Sequence, residues 1–524
     1  MSGAVWSRRE VLGAMAAGAA TAAVPGGARA GKPAAGLVQI RDVRVVDGTG
    51  APARHADVLV GDGRILQVGR INRWAARGAR VVEGGGRVLA PGFIDLHVHG
   101  NPLEDSYEPF LAMGVTTVVM GQDGSSPGTG EDGRRRLPQW MDAVARKGPD
   151  INVATCSGHG TLRRQAGIDD GTREPSQADI ARMVALLEED LAAGSFGTST
   201  GLEYVPGMYA RQAEIAAMGQ AVARFDGVAM SHMRSEDDDR VEASIREHVE
   251  ASRPARTHVS HLKVVYGEGA ERAERLLQAL DGYRAAGVEL TADAYPYMAS
   301  YTGVGILFPE WAMPPTDYDQ VLATRRDELR AALEARMIRR GGPGALLFGT
   351  GPHVGKTLAQ VAEAAGKPFP DLLLEIGPRG GMAAHFVMDA ALQGRLMVDP
   401  HVAIASDGSP GGSHPRGAGT FAKWIAEYAV RDGAVTLEEA VRKATSLPAS
   451  ILRLPDRGVL REGAIADLVL FDPSRVRANA DYVDPTAHAE GFDLVLVNGI
   501  PAFEDGERIA AAGAMLRHVP PRRR

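Results

Sequence analysis

Eight short apolar runs punctuate the middle of this chain, and each ends on a polar or metal-binding side chain. The runs end at His99, Asp123, His159, Glu203, Arg234, Lys263, Tyr295 and Asp407. Stretches between them, such as residues 177–194 and 271–287, place apolar residues at the three- and four-residue spacing of a helix with one buried face. Apolar strands alternating with amphipathic helices predict a parallel sheet, and eight such units predict a closed α/β barrel of the TIM type, (β/α)8.

The two ends of the chain follow a different rhythm. Residues 37–90 alternate in short strands that pivot on Gly61-Asp62-Gly63, and residues 464–505 repeat the pattern with a turn at Asn498-Gly499. Neither end has enough strands to bury a core alone, so the two are expected to join into one small β-sandwich. The expected organisation is an N-terminal sandwich part over 31–90, a barrel over 91–455, and the second sandwich part with a tail over 456–524. One connection is abnormal. Residues 298–393 separate the seventh strand from the eighth and contain a helix-like segment and the strand-like ALLFG, which predicts a large insertion over the barrel mouth.

Before the first strand, Arg8-Arg9 precedes a weakly apolar stretch, and Ala28-Arg29-Ala30 supplies the small residues of a cleavage site. This order predicts a twin-arginine export signal over 1–30 and a periplasmic or secreted protein. The remaining composition is that of a soluble catalyst: 524 residues, 44% hydrophobic and 23% charged. The net charge of -7 and dispersed basic residues predict no nucleic-acid partner, and no apolar run is long enough to anchor the chain once the signal is removed. Cys156 is the single cysteine, so no internal disulfide forms, and its place within the third strand run gives it no catalytic role.

Barrel enzymes gather reactive groups at the carboxyl ends of their strands. His97 and His99 alternate about Val98, which turns both imidazoles to one side of a strand, where one divalent ion could take both nitrogens. His232 and His261 close the fifth and sixth strands, and Asp407 closes the eighth. These four of the fourteen histidines sit at strand ends, whereas His55, His248, His353 and His518 fall in surface or helical contexts and read as structural.

The runs FIDLHVHG, GVTTVVMGQDG, GHGTLR, GLEYVPG, SHMRSE, SHLK, DAYPY and SDGSPGGSHPRGAGTF, in this order, resemble the N-acyl-D-amino-acid deacylases (D-aminoacylases) of the amidohydrolase superfamily. The resemblance spans almost all of the mature chain and implies a metal-dependent hydrolase of a linear amide, releasing a carboxylic acid and a free amino acid. It places His97, His99 and Asp407 at one metal position and His232 and His261 at another, with zinc as the expected ion and two ions preferred to one. Two departures stand out. The family's cysteine after the second strand is replaced by Asp123 in Gly121-Gln122-Asp123-Gly124, and Glu203 stands where relatives in the wider superfamily carry a bridging carboxylate. The expectation is a binuclear centre bridged by Glu203, with Asp123 as a turn residue; the competing arrangement makes Asp123 the replacement ligand beside His232 and His261.

In the expected reaction a metal-activated hydroxide attacks the amide carbon while Asp407 takes the proton and passes it to the leaving amine. The resemblance also puts Lys263 and Arg416 against the substrate's free carboxylate, where a guanidinium matches it with paired hydrogen bonds. Tyr295 and Tyr297 are candidates for the same anion and His159 for the acyl pocket. Arg234 is expected to pair with Glu236, and Asp293 to support a metal-binding histidine or the strand end. Met298, Tyr301, Phe308 and Trp311 form either an apolar acyl wall or the insertion's core. Alternatives are hydrolysis of a cyclic amide or an L-peptide on the same centre and, more remotely, a non-catalytic periplasmic binding protein.

Overall fold

The computed structural model describes residues 36–128 and 136–520. The expected export signal therefore lies outside the described residues. No described helix is long and apolar enough to cross a membrane.

The eight apolar runs form strands at Phe93–Asp95, Val115–Met120, Asn152–Thr155 continued by Ser157–Gly158, Gly197–Gly201, Val228–His232, Arg256–Val259, Leu290–Ala294 and Val402–Ile404. Each pairs in parallel with the next. The third strand is interrupted at Cys156, whose N–H still donates to the Met120 carbonyl at 2.8 Å. The eighth returns to the first through a parallel bridge between Val98 and Gly408 and a 2.8 Å bond from the His99 N–H to the Gly408 carbonyl. Nearly every residue of these strands is buried, as expected for parallel strands covered on both faces.

The covering helices follow from sequence. In the helix Gln177–Ala192, Ser176 caps the N-terminus by accepting from the Asp179 N–H, and Asp179 reciprocates toward the Ser176 backbone. Ile180, Met183, Leu187 and Leu191 make its buried stripe, and the last three pack with Met218, Ala221 and Val222 of the next helix. The helix stops where Gly194 takes φ 108°, and Leu187→Ala within this stripe would cost about 2–5 kcal/mol.

Both chain ends enter one continuous nine-stranded sheet. Its two halves join where Val88–Pro91 pairs antiparallel with Leu468–Phe471. The sheet then curls until Ile65 N–H reaches the Ala464 carbonyl at 2.9 Å. Two-residue alternation divides its side chains: Leu468, Leu470, Leu494 and Leu496 fill the interior of the roll, while Val469, Phe471, Val495 and Val497 pack on the barrel's helical layer. The turns at Asp62-Gly63 and Asn498-Gly499 have both central residues at positive φ, the geometry that suits a tight hairpin.

The insertion carries a three-stranded antiparallel sheet, Ala299–Gly303, Met382–Phe386 and Leu346–Phe348 in spatial order, and the long helix Tyr318–Arg339. Phe308 and Trp311 belong to its own apolar core and not to an acyl wall. The helix Ala390–Met397 instead joins the barrel core through Leu392, Leu396 and Met397.

Candidate metal centre and substrate cavity

His97, His99, Asp123 and Asp407 converge at the carboxyl ends of the strands, with donor atoms all within 4.8 Å of one another. His97 Nε2 lies 3.4 Å from Asp123 Oδ1 and 3.5 Å from Asp407 Oδ1; His99 Nε2 lies 3.6 Å from Asp123 Oδ2 and 3.1 Å from Asp407 Oδ1. A second group holds Asp123, His232 and His261. There His261 Nε2 is 3.4 Å from Asp123 Oδ1 and 2.9 Å from His232 Nδ1.

Asp123 is thus the carboxylate common to both groups. Glu203, expected to bridge, stands 3.2 Å from His232 Nε2 on the far side of that ring; it belongs to a third possible ligand group, with His232 and Glu236, and to neither of the two that share Asp123. The reason is backbone geometry. Asp123 sits at φ 53°, and the turn that carries it packs so closely on the fourth strand that a Cβ at Gly201 would lie 2.2 Å from the Asp123 carbonyl. This close approach delivers the Asp123 side chain between the first and sixth strands, where the short carboxylate reaches imidazoles of both. His261 at φ 37° and Asp407 at φ 51° are also left-handed, a costly conformation that concentrates at functional sites.

The donor set fits divalent metal. Ligands ~2.1 Å from a tetrahedral ion lie ~3.4 Å from one another, close to the spacings found here. Both ring nitrogens of His97 and Oδ1 of Asp123 are buried without a hydrogen-bond partner. Burial lowers the His97 pKa against the pull of Asp123 and Asp407, which favours the neutral imidazole that a metal requires. Burial and Lys263 likewise oppose a proton on His261, but Glu236 and Asp123 outweigh them and raise it to about 10. The same negative field that holds that proton would hold a cation. Burial disfavours the Asp407 carboxylate, yet Arg416 and His97 more than reverse this and hold it far below the usual carboxylate range.

Supporting groups fix these side chains. Asp293 Oδ1 accepts the His261 N–H at 2.6 Å, and its other oxygen faces His258 Nε2 at 2.7 Å. Asp95 Oδ1 accepts the N–H of His97 at 3.2 Å and of Ser406 at 2.9 Å. Glu236 Oε1 stands 3.0 Å from His261 Nδ1 and 2.6 Å from Lys263 Nζ, orienting the ring so that Nε2 faces Asp123.

A cavity of about 390 Å³ opens on the centre, lined by Asp123, His261, Lys263, Tyr295, Asp407 and Arg416 among others. Arg416 NH1 lies 2.7 Å from Asp407 Oδ2, and its guanidinium lies over the Tyr295 ring at 5.0 Å. Lys263 lines the cavity, but its ammonium is held by Glu236. Tyr295 keeps its buried hydroxyl without a partner.

Three expectations fail on placement. His159 is outside the cavity lining, buried with Nε2 3.3 Å from Glu214, which also pairs with Arg163. Tyr297 is outside it too and donates to the Pro415 carbonyl at 3.4 Å. Arg234 is structural, but its partner is Glu247 rather than Glu236. In each, another helix or loop supplies a partner that linear spacing does not show. Sequence reasoning missed Glu236 as a support of His261, although SHMRSE carried it, and missed Tyr204, which packs on His232 with ring centroids 4.4 Å apart. It also missed Arg340, which the insertion brings to the cavity.

Comparison with known proteins places this geometry. The profile described as "Amidohydrolase family" matches residues 80–368 and 381–503. An N-acyl-D-glutamate deacylase of Alcaligenes xylosoxydans xylosoxydans is 34% identical over 495 residues, covering 90% of this chain and 95% of that protein. A D-aminoacylase of the same organism is 32% identical, covering 88% and 93%. A crystal structure of N-acyl-D-glutamate deacylase from Bordetella bronchiseptica, complexed with zinc and a phosphonate mimic of the tetrahedral intermediate, superposes with a TM-score of 0.79 at 32% identity, covering 92% of this chain and 100% of that one. The chain belongs to the amidohydrolase family.

Proposed function

We propose that this protein is a metal-dependent deacylase of N-acyl-D-amino acids, working within a (β/α)8 barrel whose insertion roofs the cavity. The observation that carries the reading is the pair of imidazole groups sharing Asp123 beside the Asp407–Arg416 ion pair. His97, His99, Asp123 and Asp407 would hold one ion, and Asp123, His232 and His261 a second, with zinc matching the nitrogen and oxygen donors. A divalent ion there supplies a Lewis acid for the amide carbonyl and lowers the pKa of a coordinated water to about 7.

The protein's own side chains do the rest. Asp407 lines the cavity, with Oδ1 turned to His99 and Oδ2 to Arg416. While Arg416 rests on it, Asp407 is a weak base. A substrate carboxylate competes for the guanidinium, and as Arg416 turns to it Asp407 gains proton affinity, takes the water's proton and delivers it to the leaving amine. Tyr295, with its free buried hydroxyl, adds a hydrogen bond to the same carboxylate. Lys263 holds Glu236, and through it the His261 ring.

The test is a panel of N-acetyl-D- and N-acetyl-L-amino acids alongside hydantoins, assayed on zinc-reconstituted enzyme. Turnover of the D-series is expected; activity confined to the cyclic amides or the L-series overturns the assignment. The arginine pair and small-residue site in 1–30 support export by the twin-arginine route, tested by following the full chain into the periplasmic fraction and its loss with Arg8→Lys and Arg9→Lys together.

A further inference from the structure

We propose that Arg340 forms a second anion subsite, so that the preferred substrate carries a carboxylate distal to the scissile amide in addition to its α-carboxylate; this rests on the deacylase reading above. Arg340 closes the C-terminus of the long insertion helix and lines the cavity, yet it is only 2% exposed. The other cations of this region are already engaged. Arg416 lies on Asp407, Lys263 on Glu236, Arg339 on Asp237 and Asp239, and Arg336 is 3.9 Å from Glu203. Among the described residues Arg340 has no carboxylate within salt-bridge reach. Its one side-chain hydrogen bond is a long one, 3.4 Å from NH1 to the Tyr266 hydroxyl, and its Nε is buried with no partner.

Further unsatisfied atoms come from the insertion sheet. Ser300 lines the cavity and is the cross-strand partner of His385. Ser300 Oγ and both ring nitrogens of His385 are buried without hydrogen-bond partners. Burial, then Arg340 and Arg336, disfavour a proton on His385, which is not itself part of the cavity lining and adds no competing charge beside Arg340. Buried polar groups left open in this way are completed by a ligand or by water, and an unpaired guanidinium selects an anion. Arg416 serves the α-carboxylate, which leaves Arg340 for the second. That group could sit on the amino-acid side chain or on the acyl chain; both present the same carboxylate.

The experiment compares kcat/KM on N-acetyl-D-glutamate, N-acetyl-D-glutamine and N-succinyl-D-methionine for the zinc-reconstituted wild type, Arg340→Gln and Arg340→Lys. The wild type is expected to prefer a dianionic substrate over the neutral glutamine analogue. Arg340→Gln is expected to lose about 10- to 100-fold on that dianion, chiefly in KM, with Arg340→Lys recovering part of it and the glutamine analogue changing by less than about 3-fold. Loss on the glutamate substrate locates the second carboxylate on the side chain, and loss on the succinyl substrate locates it on the acyl group. An equal loss on neutral and dianionic substrates overturns the subsite, as does a wild-type preference for the neutral one. Calorimetric titration with D-glutamate and D-glutamine, and with N-succinyl- and N-acetyl-D-methionine, separates this from the parent reading. If no N-acyl-D-amino acid is turned over, the deacylase reading fails, while tighter binding of D-glutamate than D-glutamine, or of N-succinyl- than N-acetyl-D-methionine, that Arg340→Gln abolishes still upholds the subsite, and equal binding within both pairs rejects it.

Discussion

His258 and His261 stand three residues apart at the end of the sixth strand, both buried, and their surroundings could hardly differ more. His258 has Nδ1 2.8 Å from Thr291 Oγ1 and Nε2 2.7 Å from Asp293, so both nitrogens are satisfied by the neighbouring strand. His261 turns out of the strand at φ 37° into a field of carboxylates and lines the cavity. A satisfied imidazole in regular backbone locks two strands. An imidazole in strained backbone, shared between Asp123, Glu236 and a neighbouring histidine, is poised for a ligand.

The largest effects belong to the His261 side of this contrast. Asp407→Asn is expected to reduce turnover about 10³-fold with the metal largely retained, because the proton shuttle is lost; near-normal rates at saturating substrate would remove Asp407 from the mechanism. Asp123→Asn is expected to bring metal content from about two ions per chain to one or fewer, while Glu203→Gln keeps both. Elemental analysis of the two variants checks this, and the reverse ranking restores Glu203 as the bridge.

Next comes pH. Against burial and Lys263, the carboxylates Glu236 and Asp123 raise His261 to about 10, above an unfolded value of ~6.5. In the metal-free protein this stabilisation is complete below pH ~6.5 and is lost as pH rises to about 10, an effect on the order of 5 kcal/mol. Urea unfolding of chelator-treated protein at the two ends of that window should show the decline, and His261→Asn should flatten it. A wild-type curve as flat as the variant's would mean that the carboxylates do not hold a proton there.

The His258 side predicts smaller and purely structural losses. His258→Gln leaves Asp293 with one fewer partner and should cost about 1–3 kcal/mol in unfolding free energy with unchanged metal content. A fall in metal content would show that His258 supports the centre more directly than its contacts indicate. Smallest of all, His159→Asn should leave KM within about 2-fold, since its ring faces Glu214 rather than the cavity; a large KM change would return His159 to the substrate.

The contrast also marks how far the sequence could be read. His97, His99, His232, His261 and Asp407 were legible because each ends an apolar run, and parallel strands carry their last side chains to one rim. Asp123 was visible but misweighed: a Gly-Gln-Asp-Gly turn reads as a turn, and only the packing of that turn on Gly201 shows where its side chain goes. Glu203 satisfied the local pattern equally well and was placed on the outer side of His232 by its own loop. Arg340 had no signal at all, since a basic residue at a helix terminus is ordinarily a solvated one.

Periodicity, turn chemistry and strand-end polarity are local properties, so the sequence alone determined the order of elements, the two glycine hairpins at the chain ends and most of the histidine set. Which carboxylate two imidazole groups share, which cations remain unpaired and which histidines are closed off depend on contacts between segments hundreds of residues apart. Those were decided only when the curled sheet, the barrel and the insertion packed together, because burial and pairing are properties of the space around a side chain and not of its neighbours in the chain.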